Sequence, residues 1–146
     1  MPENTTRKRD PRLTSGPGRL IVWLYAVVTV GAISRSAVQL STNYDEAPLA
    51  YTLSALAGLV YLVILVALVR GSEGARRLAL VCCTAELVGV LTVGTWTLAD
   101  PERFPDQTVW SDYGMGYIFI PLLLPVTGLL WLRRSGRESR PESSPA

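Results

Sequence analysis

The sequence predicts an all-α polytopic membrane protein, an antiparallel four-transmembrane-helix bundle with both termini in the cytoplasm. Three observations predict it. Apolar residues collect in four blocks, at about 20–40, 49–69, 78–98 and 115–132. Each block has about 18–21 residues, which at 1.5 Å per residue covers roughly 27–31 Å, the thickness of a hydrocarbon core. Lys and Arg collect in alternate connections. No apolar–polar alternation runs through the blocks, so a β-barrel is not supported, and a backbone crossing lipid must then close its hydrogen bonds as helix.

Residues 1–18 (MPENTTRKRDPRLTSGPG) are rich in Pro, Gly and charge and are expected to be a disordered, basic cytoplasmic tail. They carry Arg7, Lys8, Arg9 and Arg12. Such arginines can attract anionic headgroups, although topology control alone explains them. Helix 1 follows, interrupted by Arg35 in "GAISRSAVQL". A cleavable signal peptide cut near Ser34 and Ser36 is the competing reading. The apolar stretch is long for that role and Arg35 would sit at the cut, so the block is read as retained.

The connection "STNYDEAP" is short. Asp45 is expected to cap helix 2, with Glu46 in the first turn and Pro48 tolerated there. Helix 2 carries Ala50, Ser54 and Gly58 at a spacing of four, a small-residue stripe suited to close packing in lipid. A second short connection brings in Arg70, Arg76 and Arg77. Helix 3 places Ala79, Cys82, Cys83, Glu86 and Gly89 on a similar stripe. The connection "ADPERFPDQTVWSDYGMGY" is the one long loop, with four acids and an aromatic cluster. Its acids match no EF-hand spacing, so a solvated loop is expected, with Trp110, Tyr113 and Tyr117 at the outer interface. Trp23, Tyr25 and Trp131 are expected at the inner interface. Helix 4 has Pro121 and Pro125 and should bend. Residues 134–146 are expected to be a second disordered cytoplasmic tail, leaving 19–133 as the membrane domain.

Orientation follows from charge. Five basic residues precede helix 1 (Arg7, Lys8, Arg9, Arg12, Arg19), three lie between helices 2 and 3, and four follow helix 4 (Arg133, Arg134, Arg137, Arg140). The other two connections hold only Arg103, so the positive-inside rule puts both termini in the cytoplasm.

Composition removes several functions. The chain has no histidine, so the usual haem ligand, most catalytic zinc sites and imidazole acid–base chemistry are absent. Cys82 and Cys83 are adjacent and form no C-x-x-C pair; they read as small apolar residues. A net charge of +2 without stacking motifs excludes an electrostatic nucleic-acid binder. No cofactor or metal site is expected, and no catalytic residues. Thirteen arginines against one lysine fit a GC-rich bacterial genome.

Arg35 and Glu86 are ionisable groups well inside the spans, which makes them site candidates. By helix rise Arg35 lies roughly 22 Å and Glu86 roughly 12 Å above the inner ends, so a direct bridge must close about 10 Å. Glu46 and Asp112 are the competing acids for Arg35. Arg35, Glu86, Gln39, Glu46 and Tyr51 are therefore expected to form an intramembrane polar cluster. It serves either as a tie that fixes helix order or as a binding cleft.

The stretches "RSAVQL", "DEAPLAYTLSALAGLVY", "AELVGVL" and "FPDQTVWSDYGMGYIFIPLLLPVTGLLWL" resemble small four-helix integral membrane proteins of actinobacteria, whose function is unassigned. The resemblance covers about residues 19–133 and implies a plasma-membrane location in a Gram-positive bacterium. It supplies no catalytic residues. Disulfide-forming quinone reductases, small multidrug transporters and fluoride channels fit poorly, because their signature residues are absent or misplaced. The expected role is a non-enzymatic accessory or interaction subunit of the cell envelope, with the lipid bilayer and either a membrane-protein partner or a second copy as contacts. A small oligomeric transporter or channel, with Arg35 and Glu86 near the pathway, is the alternative.

Overall fold

The computed structural model describes residues 16–138, with side chains through residue 136. Most of the two expected tails, including Arg7, Lys8, Arg9, Arg12 and Arg140, lies outside the described residues. Within them the chain is all-helical: α1 (Pro17–Thr42), α2 (Pro48–Arg70), α3 (Glu73–Ala99) and α4 (Ile120–Glu138). Three of these, α1, α2 and α3, are long and apolar enough to cross a membrane. A fourth span results if the short 3-10 turn at Ser111–Tyr117 and α4, bent by 98° at their junction, are taken as one.

Local chemistry sets the boundaries. Pro17 and Pro48 open α1 and α2, positions where a missing N–H costs nothing. The residue before α2 is Ala47, which makes no side-chain cap. Asp45 is therefore not the cap expected of it: Pro48 starts the helix, which leaves Asp45 and Glu46 outside the first turn. Glu46 instead accepts from Asn43 Nδ2 at 3.1 Å. At the other end of α2, Gly71 takes a left-handed conformation (φ 65°) and donates to Ala67 O, the usual helix stop. Ser72 then caps α3 by accepting from Ala75 N at 3.2 Å.

Each helix buries one stripe. In α1 it is Gly18, Ile21, Tyr25, Thr29, Ala32 and Ser36. In α3 it is Ala79, Cys83, Glu86, Val90, Val93 and Thr97, with Gly94 beside Val93. In α2 the expected Ala50, Ser54 and Gly58 are buried, joined by Ala57, Tyr61 and Ile64. These rows recur every three or four residues, which is the helical period, and small residues let backbones approach where lipid offers no hydrophobic gain. α1 packs on α2, α2 on α3, and α3 on α4, while α1 and α4 touch less.

The fourth block departs most from expectation. α4 starts at Ile120, five residues after the Met115 expected, and runs on to Glu138. Ile118 and Phe119 sit at φ 55° and 57°, a left-handed conformation that breaks the helix before Pro121. Pro121 then falls in the first turn of α4, where a proline is tolerated.

Candidate functional site

The α3–α4 connection, residues 100–119, is the feature that organises the polar residues. It is not a solvated loop. It folds back and packs on α3 and α4. Trp110 is 5% exposed, and its ring lies over Gly89, where an added Cβ would come within 3.0 Å of it. The ring of Tyr113 covers Gly94 just as closely. Trp110 thus sits inside the helices rather than at an interface, because two glycines on α3 leave room for flat rings.

Non-helical backbone among apolar helices needs partners for its N–H groups. Helix side chains supply them. Ser54 Oγ accepts from Val109 N at 3.3 Å and Thr97 Oγ1 from Asp112 N at 3.0 Å. Within the connection, Ser111 Oγ accepts from Thr108 N at 2.8 Å.

Among the described residues, the hydrogen bonds and ion pair of Arg35 all go to this connection. Its Nη1 donates to the Tyr117 hydroxyl, its Nη2 donates to Gln107 O at 3.2 Å, and Asp106 lies 3.9 Å away. The guanidinium also stands 5.7 Å from the centre of the Tyr117 ring. One turn along α1, Gln39 Nε2 donates to the same Asp106 at 3.3 Å. The phenol of Tyr51 on α2 lies within interaction range of Asp106. The acid that serves Arg35 is therefore Asp106, and not Glu86, Glu46 or Asp112. The connection folds down to the level of Arg35, which shortens the reach, while Glu86 stays deeper in the bundle.

Glu86 forms a separate cluster. It is fully buried at the middle of α3, with Tyr25 and Tyr61 equally buried beside it. The Tyr25 hydroxyl donates to Glu86 Oε2 at 3.3 Å and lies 3.6 Å from Cys83 Sγ. The rings of Tyr25 and Tyr61 stand 6.4 Å apart. The Tyr61 hydroxyl is close to both Glu86 and Trp110 but is aligned with neither. Among the described residues no Arg or Lys pairs with Glu86.

The expected five-residue cluster is thus divided. Arg35, Gln39 and Tyr51 gather on Asp106; Glu86 stands alone with tyrosines; Glu46 is exposed. Asp106, Gln107, Tyr117, Tyr25, Tyr61 and Trp110 are the residues that sequence reasoning missed. A usable signal existed for Tyr61, which follows Ser54 by seven and Gly58 by three and so shares their face. Tyr25 is likewise seven before Ala32. It was expected at an interface, but burial of its whole side chain places it in the core.

At the opposite end of the helices, Arg76 joins α3 to α4. It donates to Glu73 on its own helix at 2.9 Å and to Leu132 O of α4 at 3.2 Å. Its hydrogen bond to Glu73 holds that carboxyl below the usual carboxylate range. Among the described residues, no group of three His, Cys, Asp or Glu side chains is placed to hold a metal ion.

This arrangement defines a class: a chain of several membrane-length helices with a long connection folded into them. No protein-family model, curated protein or solved structure matches the chain, so no family stands beside that class.

Proposed function

We propose that this chain is a multi-pass plasma-membrane protein of a bacterium, with four antiparallel spans and both termini in the cytoplasm. In this reading it acts without catalysis, as an accessory or interaction subunit of the cell envelope. The alternation of basic connections supports the orientation, and the α3–α4 connection then faces outward. In this reading the fourth span is the pair of helices bent by 98° before α4.

One observation carries the accessory role over a conduit: side chains fill the space around Glu86. Tyr25, Tyr61 and Glu86 are wholly buried where the helices meet, and Trp110 closes the space above them. Arg35 is engaged in holding the connection down, so its charge is not offered to a passing ion. A side chain spent on an internal tie fixes structure first.

Affinity purification of the tagged full chain from native membranes in mild detergent tests this reading. A second protein present in stoichiometric amount is the expected result. A homo-oligomer without a partner would contradict it and support a small oligomeric transporter or channel instead. The observation favouring that second reading is the uncompensated burial of Glu86, the type of residue that marks ion and proton routes in membranes.

A further inference from the structure

The Glu86 cluster contains more unpaired polar atoms than a purely structural contact needs. Glu86 Oε1, the Tyr61 hydroxyl and Trp110 Nε1 are all buried, and each is without a hydrogen-bond partner. Buried polar groups are paired as a rule, so three orphans in one neighbourhood call for a physical reason. The groups facing Glu86 come from every surrounding element. They are Tyr25 from α1, Tyr61 from α2, and Cys82 and Cys83 from α3, with Trp110 of the connection beside Tyr61. α4 contributes Gly128, where an added Cβ would lie 3.3 Å from Cys83 Sγ and 3.5 Å from the Tyr25 hydroxyl. None of these groups carries a positive charge.

We propose that Glu86 is a proton-binding site whose occupancy is reported by the seating of Trp110. The surroundings serve both forms of the carboxyl. Full burial without a cation suits the neutral acid, since an isolated carboxylate in an apolar interior is heavily penalised. Yet the Tyr25 hydroxyl donates to one carboxyl oxygen, and the Tyr61 hydroxyl lies beside the carboxyl with the Trp110 N–H next to it, a chain of donors of the kind an ionised carboxylate requires. A site built for one form alone would lack either the donors or the apolar wall. On release, the O–H bond of Glu86 breaks, its electron pair stays on the carboxylate, and the proton passes to water or a buffer base. The freed oxygen then accepts from the Tyr61 hydroxyl, whose own oxygen accepts from Trp110 Nε1–H, so that polar atoms otherwise unpaired gain partners. Trp110 belongs to the connection tied down by Arg35, so a change in its seating is transmitted to that surface.

The test uses the full chain in lipid nanodiscs with Trp23, Trp96 and Trp131 replaced by phenylalanine, so that Trp110 alone emits. Titration from acid to alkaline pH is expected to shift the Trp110 emission in one step, and Glu86→Gln is expected to abolish the step. Emission that ignores pH, or the same step in the Glu86→Gln chain, would overturn the proposal. A second measurement needs no substitution. Infrared difference spectra of the unsubstituted protein should show a carboxylic-acid carbonyl band from an apolar site giving way to carboxylate bands as pH rises. Glu86 is the one fully buried carboxyl among the described residues. Absence of any such band exchange would overturn the proposal equally. The outcome is independent of whether a protein partner is found.

Discussion

Arg35 and Glu86 both lie well inside the apolar helices, and they are accommodated in different ways. Arg35 is half-buried and has three partners on one connection, whereas Glu86 is wholly buried and has one aligned donor. The Arg35–Asp106 pair is long and partly exposed, so most of its worth lies in the hydrogen bonds to Tyr117 and Gln107. Replacing Arg35 by Ala should therefore cost about 1–3 kcal/mol of stability in detergent unfolding. Combined with Asp106→Asn the losses should be less than additive; strict additivity would show that the two do not interact. At the other end, the Arg76 hydrogen bond keeps the Glu73 carboxyl ionised to lower pH than usual. Its contribution to the start of α3 is present above the ordinary carboxylate range and is lost as pH falls through the lowered value. Arg76→Ala should move the Glu73 titration, followed by carbon-13 NMR, back up; an unmoved titration would contradict the assignment. At this scale the spacing of four between Arg35 and Gln39 puts them on one face of α1. It could not mark Asp106, because that contact depends on how a distant connection folds, and helical periodicity says nothing about it.

The elements that follow a simple period were legible, and the one that does not was missed. Rows of small residues placed the buried faces of α2 and α3, and prolines and Gly71 set their ends. The 100–119 connection has no period to read, and its acids and prolines suggested a solvated loop. Two glycines on α3 decide the matter, since Gly89 and Gly94 receive the rings of Trp110 and Tyr113. Asp112, Tyr113, Ile118 and Phe119 hold left-handed φ, which costs free energy that the packed rings and the Ser54 and Thr97 hydrogen bonds must offset. Gly94→Ala tests this directly. The new Cβ would stand 2.6 Å from the Tyr113 ring and 2.8 Å from its backbone N, so the turn must move. A loss of about 1–3 kcal/mol is expected, with Trp110 becoming accessible to aqueous quenchers. Unchanged stability and quenching would mean that the connection does not pack against α3.

In the molecule as a whole, apolar helices, a charge asymmetry and an inserted connection form one arrangement. The helices are long enough to span, and the arginines between α2 and α3 oppose the acids of the other two connections. In the proposed orientation, Arg76 locks α3 to α4 on the cytoplasmic side, while Arg35 holds the connection on the outer side. Which connections face the cytoplasm and which face outward follows from that orientation alone. The measurement that reaches it most directly is labelling by a membrane-impermeant maleimide in intact cells. Single cysteines are placed at Asp45 and at Ser72, with Cys82 and Cys83 replaced by alanine. Asp45→Cys is expected to be labelled in intact cells and Ser72→Cys only after the membrane is permeabilised. Labelling of Ser72→Cys in intact cells, with Asp45→Cys protected, would contradict the proposed orientation.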